Sequence, residues 1–469
     1  MHRLTAFALA AALAGCAVGP DYVRPELPET EGFVRADAAA FSSAETEAEF
    51  WRRLDDPLLA RLIDRALSAN HDLRIGLARL DRARALLGIS NLDRLPIVTA
   101  RGTAADVRQS TSEAPGIDRE SRDAEIYDLG IDAFWELDFF GRLRRSVEAR
   151  RADLQAAAGD LATLQVAIVA ELAQSYYELR GGQERLRVAR ENAANQRRTL
   201  ELVTVRLEAG RGTEFDTERA EAQLQSTLAR IPSLELDNAV QMHRIAVLTG
   251  RPPGTHRETL EQSAQLPGLP EQVATGTPGE LLRRRPDIAA AERRLAAATA
   301  RISVATADLF PRFTLSGLLG TQALDTGDLF ERDSETRAVA LGIDWSFLDV
   351  GRVRARIAAA DADAAAELAR YQQTVLLALE ETENALVRYS RAQSERDYLA
   401  DAAAASGRAA KLARLRYEGG LVDFLEVLDA ERTQLLAEDE LAQSRTRAAT
   451  ALIALYKALA GGWPERTVQ

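Results

Sequence analysis

The sequence predicts a mainly α-helical chain that also carries strands of a transmembrane β-barrel, laid out as an internal tandem duplication. Three observations predict this. No proline occurs between Pro311 and Pro464 and no glycine between Gly351 and Gly407, so nothing breaks a helical arm there. Tyr127, Leu129, Ile131, Ala133, Trp135 and Leu137 alternate with Asp128, Gly130, Asp132, Phe134, Glu136 and Asp138, the period-two signature of a strand with one oily and one mostly acidic face. The pattern then returns about 210 residues later, the self-similarity of a repeat.

Residues 1–15 read as a signal peptide: His2 and Arg3, then an apolar run from Leu4 to Leu13 that is too short for a permanent span. Leu13-Ala14-Gly15-Cys16 follows, and residues 16–49 form an N-terminal segment that opens in a proline-rich stretch. From Phe50 to Arg94 the spacing is helical, with Trp51, Leu54, Leu58, Leu62 and Ile63 on one face and Asp72 as the cap of a second helix, which Pro96 ends. Strands are expected at about 96–107 and 126–138, at roughly 10 residues the length of a tilted membrane strand. A half-buried strand of a soluble sheet shows the same alternation. A helical hairpin fills 142–250, with its reversal at Arg206-Leu207-Glu208-Ala209-Gly210; Gly181-Gly182 is expected to loosen its outgoing arm and Pro232 to kink its return. Val166–Ala170 reads as a packed coiled-coil face, and no stretch beyond the signal offers eighteen consecutive apolar residues.

Residues 251–279, with five prolines, connect the halves, and the second half repeats the first over 280–461: a helix, strands at about 311–322 and 337–348, and a hairpin over 352–461. Leu95-Pro96 is echoed by Phe310-Pro311, Leu129-Gly130-Ile131-Asp132 by Leu341-Gly342-Ile343-Asp344, and Leu248-Thr249-Gly250 by Leu459-Ala460-Gly461. In the second outgoing arm Leu368, Tyr371, Val375, Leu379, Leu386 and Tyr389 recur at helical spacing, and the arm is long enough for roughly 100 Å. Residues 462–469 are a tail.

Composition excludes several function classes. The net charge of -12 leaves no basic stripe for nucleic acid, and a single cysteine permits no intramolecular disulfide. The four histidines are isolated, no metal-ligand or nucleophile motif appears, and the acids sit at helix-surface spacing, so neither an enzyme nor a cofactor is expected. Arg283-Arg284-Arg285 reads as a solvated cluster. Four strands per chain cannot close a barrel, because open edges in hydrocarbon leave backbone groups unpaired at several kcal/mol each. Such strands demand association.

Leu-Ala-Gly-Cys resembles a bacterial lipobox, which implies acylation of Cys16, palmitate included, and sorting to the outer membrane. Cys16-Ala17-Val18-Gly19-Pro20-Asp21-Tyr22-Val23-Arg24-Pro25 resembles the mature start of the lipoprotein branch of TolC-like outer-membrane efflux proteins, the OprM or NodT type. The two turns add to the resemblance: Arg206 to Asp216, and Arg416-Tyr417 through Gly420, Phe424, Leu425, Leu428 and Asp429 to Arg432. The resemblance implies a homotrimer with a twelve-stranded barrel and a periplasmic tunnel of helical hairpins. It implies an exit duct for drugs or other small solutes in a tripartite efflux system, with an inner-membrane pump of the resistance-nodulation-division class. A periplasmic adaptor would contact the tips at Gly210, Gly212, Thr213, Gly420 and Leu421, where Thr213 suits the cap of the return helix. Carried over by residue, Leu425, Glu426 and Asp429 fall on the periplasmic gate, where threefold repetition would gather like charges into a cation site. Asp429 and Arg432 are also near enough along a helix to pair as ordinary solvated charges. The basic residue that some members place in the second tip has no match at Val422-Asp423, which leaves Arg416 and Arg432 as the ion-pair candidates. The rival reading is a lipid-anchored periplasmic coiled-coil scaffold or adaptor with soluble strands.

Overall fold

The structure is a computed structural model that describes residues 17–26, 32–35, 40–44, 49–112, 116, 118–120, 122–266, 268–270 and 272–459. The signal peptide, Cys16 and the tail at 462–469 lie outside the described residues. In chain order the elements are β1 (Phe41–Ser42), α1 (Pro57–Ala69), α2 (His71–Leu92), β2 (Ile97–Arg108), β3 (Asp123–Leu137), α3 (Arg142–Glu208), α4 (Glu214–Leu228) and α5 (Arg230–Leu248). There follow α6 (Arg257–Leu260), β4 (Val273–Ala274), α7 (Pro278–Arg284), α8 (Pro286–Ala307), β5 (Arg312–Ala323), β6 (Glu335–Asp344), α9 (Val350–Glu418) and α10 (Phe424–Ala458). The chain divides into two compact units, and each takes corresponding stretches of both halves of the sequence.

One unit comprises Arg79–Ala157, Ala290–Gln372 and the described residues before Glu26. Its sheet is antiparallel in the order β2-β3-β5-β6, so β2 and β6 are its edges. The register aligns the period-two stripes: Ile131 lies opposite Leu319, Leu315 opposite Leu341, and Phe313 opposite Ile343. One face is therefore oily across the strands. It is also exposed, with Val339 at 82% and Leu319 at 66%, whereas large apolar side chains in water-soluble sheets are normally covered. On the other face Arg101 reaches diagonally to Asp128 at 3.0 Å and to Asp132 at 3.4 Å. Glycine is required where Gly320 meets β3, since a Cβ there would stand 2.5 Å from the Leu129 carbonyl oxygen.

The strands differ from the expected bounds at two ends. β3 begins at Asp123, where Arg108 and Asp123 close the ladder with a bidentate ion pair at 2.6 and 2.7 Å. β6 stops at Asp344 rather than continuing to 348, because Asp344 pairs with Arg312, the first residue of β5, and the ladder has no partner beyond it among the described residues; the Trp345 indole N–H that follows donates to the Leu309 carbonyl at 3.0 Å. In the first half Trp135 donates likewise to Arg94 O at 2.9 Å. Each tryptophan thus ties a strand to the helix end just before a proline, as amphipathic rings do at a membrane surface.

The N-terminal segment docks on the same unit. Val18 N–H donates to Phe140 O at 3.1 Å, Ser303 donates to Pro20 O at 2.9 Å, Arg145 pairs with Asp21, and the Tyr22 hydroxyl donates to Glu292. Burial pushes the Glu292 carboxyl up, but Arg293 and Tyr22 outweigh it and hold the group below the usual carboxylate range.

The other unit comprises Glu26–Ala78, Ala158–Ala289 and the chain from Gln373 onward. Its core gathers Trp51 from the 3-10 turn Phe50–Leu54 and Leu59, Ile63, Leu172, Tyr177, Ile245, Leu386, Tyr389 and Leu452 from α1, α3, α5, α9 and α10, each large apolar side chain contributing about 1.5–3 kcal/mol. Tyr176 donates to Asp56 at 2.6 Å, and burial with that bond pushes its hydroxyl up to about 12. Asp56 also caps α1 through the amides of Leu58 and Leu59. Asp72 is not the cap expected of it: Asn70 accepts from the Asp72 and Leu73 amides at 2.8 and 3.1 Å, leaving Asp72 in the first turn of α2. The connection at 251–279 is fastened down, β4 pairing parallel with β1 while buried Arg180 and Gln183 donate to the carbonyls of Leu260 and Gln262.

Three expectations for the first hairpin resolve differently. The return arm does break near Pro232, as two helices that meet at Ala229; a proline removes the donor that would have bonded one turn upstream. Gly181-Gly182, however, does not loosen the outgoing arm, which runs unbroken for 67 residues. A Cβ on Gly181 would stand 1.9 Å from Thr446 Oγ1 and one on Gly182 2.1 Å from Asn238 Oδ1, so the pair lets α10 and α5 approach α3 closely. Finally, α3 contains a window long and apolar enough by composition to cross a membrane, contrary to the expectation of none. Ile168, Val169, Leu172, Ala173, Tyr176 and Tyr177 on that arm are buried in the core, while 33% of the window as a whole is buried within the chain.

Candidate functional site

The two helical tips are built alike. At the end of α3, Gly210 N–H bonds to Leu207 O and Arg211 N–H to Arg206 O; at the end of α9, Gly420 N–H bonds to Tyr417 O and Leu421 N–H to Arg416 O. This is the Schellman pattern, and it needs a residue in the left-handed region. Gly210 at φ +70 and Gly420 at φ +74 supply it, with open space around both. Each return helix is then capped by a side chain. Thr213 and Asp216 form a reciprocal capping box on α4, and Asp423 accepts from the Leu425 and Glu426 amides on α10. Leu421 stands out from its turn at 74% exposure.

An apolar cluster joins the tips: Val203 and Ala220 from the first hairpin meet Tyr417, Phe424, Val427 and Leu428 from the second. Arg206 adds a polar link, its guanidinium lying 4.1 Å from the Tyr417 ring centre and donating to Tyr417 O at 3.1 Å. Cations suit that place, because the last carbonyls of a helix carry partial negative charge. With Phe424, Val427 and Leu428 turned inward, Leu425, Glu426 and Asp429 are left on the exposed flank of α10.

The three residues expected at the gate thus share one flank but not one ion-pair network. Arg416 approaches Glu426 at 3.9 Å, while Asp429 pairs with Arg432 at 2.7 Å, one turn along the same helix. Both pairs are more than half exposed, where such contacts contribute about 0.2–1 kcal/mol. Within one chain they position the acids without burying them.

The sequence reading missed a second layer. Glu431 is 5% exposed, accepts from Thr199 Oγ1 at 2.9 Å and pairs with Arg414. The signal was present: Glu431 occupies the apolar seam that runs through Phe424, Val427, Leu428 and Leu435. Asn192 donates to Glu438 at 2.9 Å farther up the same contact, and Arg185 pairs with Asp439 at 2.7 Å beyond it.

Comparison with known proteins gives a consistent picture. The family model described as "Outer membrane efflux protein" matches residues 62–251 and 277–461. Outer membrane protein OprJ of Pseudomonas aeruginosa is 32% identical, over 98% of this chain and 96% of its own length. Nodulation protein T of Rhizobium leguminosarum bv. trifolii is 31% identical, over 96% and 95%. The solved structure of the outer-membrane channel OprN has a TM-score of 0.90 at 43% identity and covers 96% of this chain and 100% of its own.

Proposed function

The chain belongs to the outer membrane efflux protein family, and from that premise we propose that three copies close a twelve-stranded barrel and form the passive exit duct of a tripartite pump. The observation that carries the reading is the sheet: an exposed oily face, a face crossed by ion pairs, and two edge strands whose outer edges pair with no strand among the described residues. Pairing β2 of one copy with β6 of the next would remove every edge, and twelve is an even number within the range of known barrels. Two copies would give eight strands, whose interior side chains largely fill. The recurrence of sheet pairs, tryptophan ties and glycine turns in both halves supports descent from a duplicated unit.

Ala17 packs against Gly141, just past the end of β3. Acylation of Cys16 next to it would add a lipid anchor at the barrel rim, and several chains on one residue make durable what one chain leaves marginal. The scaffold reading needs its strands covered in a water-soluble core, and the exposed oily face disfavours it.

In the trimer Leu425, Glu426 and Asp429 would ring the periplasmic end of the tunnel, with Arg416 and Arg432 as the pairs that steady the ring. Energy would come from an inner-membrane pump of the resistance-nodulation-division class. A periplasmic adaptor reading the tips at Gly210, Gly212, Thr213, Gly420 and Leu421 would shift the hairpins until the ring dilates and drugs or other small solutes pass. Purified trimers in planar bilayers test the gate. Glu426→Ala and Asp429→Ala are expected to raise conductance and to lower cation selectivity, read as a smaller reversal potential in a salt gradient. Unchanged conductance and reversal potential in both would remove the gate assignment.

A further inference from the structure

Glu431 stands two residues beyond Asp429, which on an α-helix is about 200° around the axis. One carboxylate lies on the open flank of α10 and the other on the flank turned toward α3 and α9. Glu431 is the point at which both neighbours hold α10 at once: Thr199 Oγ1 of α3 donates to its Oε1 at 2.9 Å, and Arg414 of α9 pairs with the same oxygen.

The contact is also incompletely made. Glu431 Oε2 is buried with no hydrogen-bond partner among the described residues, and so are both amide atoms of Gln196, which is 3% exposed and lies one turn before Thr199 on α3. Above this layer Asn192 and Gln434 hold Glu438, and below it the apolar tip cluster closes the hairpins together. A buried carboxylate is strongly disfavoured when it is unpaired and is retained at modest net cost when it is held. An arrangement with one satisfied oxygen and one orphan is firm while closed, yet it gains hydration once the helices part.

We propose that Glu431 is a positioning residue of the gate: clamped between Thr199 and Arg414, it fixes the rotation of α10 and keeps Asp429 aimed into the closed constriction. This rests on the gate reading of Asp429 given above. It assigns Glu431 no contact with solute. Its role is to set the closed-to-open ratio, while the charges on the other flank set ion preference. The proposal therefore separates two quantities that a merely structural contact would move together or not at all.

The test uses full-length trimers in planar bilayers, with wild type, Thr199→Val, Glu431→Gln, their double variant and Asp429→Ala measured side by side. Thr199→Val and Glu431→Gln are each expected to raise the open-to-closed ratio about tenfold, the size of one hydrogen bond to a charged group. The reversal potential should stay at the wild-type value in both. The double variant should be less than additive, since both changes act on one contact. If Glu431→Gln does not assemble, Thr199→Val decides alone, because it leaves the Arg414 pair in place. Wild-type gating in the variants, with a shifted reversal potential in Asp429→Ala, would overturn the clamp and leave the gate reading standing. Wild-type behaviour in Asp429→Ala would remove Asp429 from the gate and the clamp with it.

Discussion

Leu341→Arg is expected to abolish assembly of the proposed trimer in the outer membrane, whereas Ala340→Arg, one residue along the same strand, is expected to assemble. Leu341 lies on the oily face opposite Leu315 and is 64% exposed in the single chain. If that face meets lipid, an arginine there costs about 2–4 kcal/mol near the bilayer midplane, and the trimer carries it three times. Ala340 points to the other face, opposite Ser316, on the side where Arg101 pairs with Asp128. A charge on that side meets water and alters conduction rather than assembly. The check is the amount of heat-modifiable trimer in outer-membrane fractions. Equal loss in both variants would mean that the two faces do not differ in environment.

Gly181→Ala is expected to lower the temperature at which the trimer dissociates, although alanine is the better helix former by about 1 kcal/mol. The added methyl would lie 1.9 Å from Thr446 Oγ1 and 2.7 Å from its Cγ2. Turning Thr446 does not clear the clash, because its Cβ would itself stand 2.8 Å from the methyl, so α3 and α10 must separate. Overpacking of this kind costs about 1–3 kcal/mol, and more where the backbone has to move. Gly182→Ala should be milder, because its nearest neighbour is the amide of Asn238, which can rotate away. Thr446→Ala should rescue Gly181→Ala in part, since it removes the two nearer contacts. Dissociation on heating in detergent measures all four, and a Gly181→Ala trimer as stable as wild type would contradict the close approach.

These two cases show which parts of the molecule were legible in the sequence. The strands were, because a period of two is a property of one strand and needs no knowledge of its neighbour. So were the tips, since a helix reversal asks for glycine at a stated place and Gly210 and Gly420 both take positive φ. The cap at Thr213 followed from the same local logic. What stayed hidden depends on a second helix. Gly181-Gly182 reads as looseness in isolation and proves to be a contact surface once α5 and α10 lie against it. The place of Glu431 on the seam through Val427 and Leu435 was legible, but Thr199 and Arg414, which hold it, lie on other helices. The apolar window of α3 has a membrane-like composition, yet Val169 and Leu172 of that arm pack into the core, a contact that needs the other helices. β6 ends early because its partner β5 begins only at Arg312, which no window along β6 displays.

The central claim is that alternate residues of the sheet face lipid and water. The most direct measurement replaces Ala338, Val339, Ala340, Leu341 and Ile343 of β6 one at a time by cysteine and labels intact outer membranes with a small water-soluble maleimide. The account predicts labelling at 338 and 340 and protection at 339, 341 and 343. Labelling that ignores the alternation, or protection throughout, would contradict it.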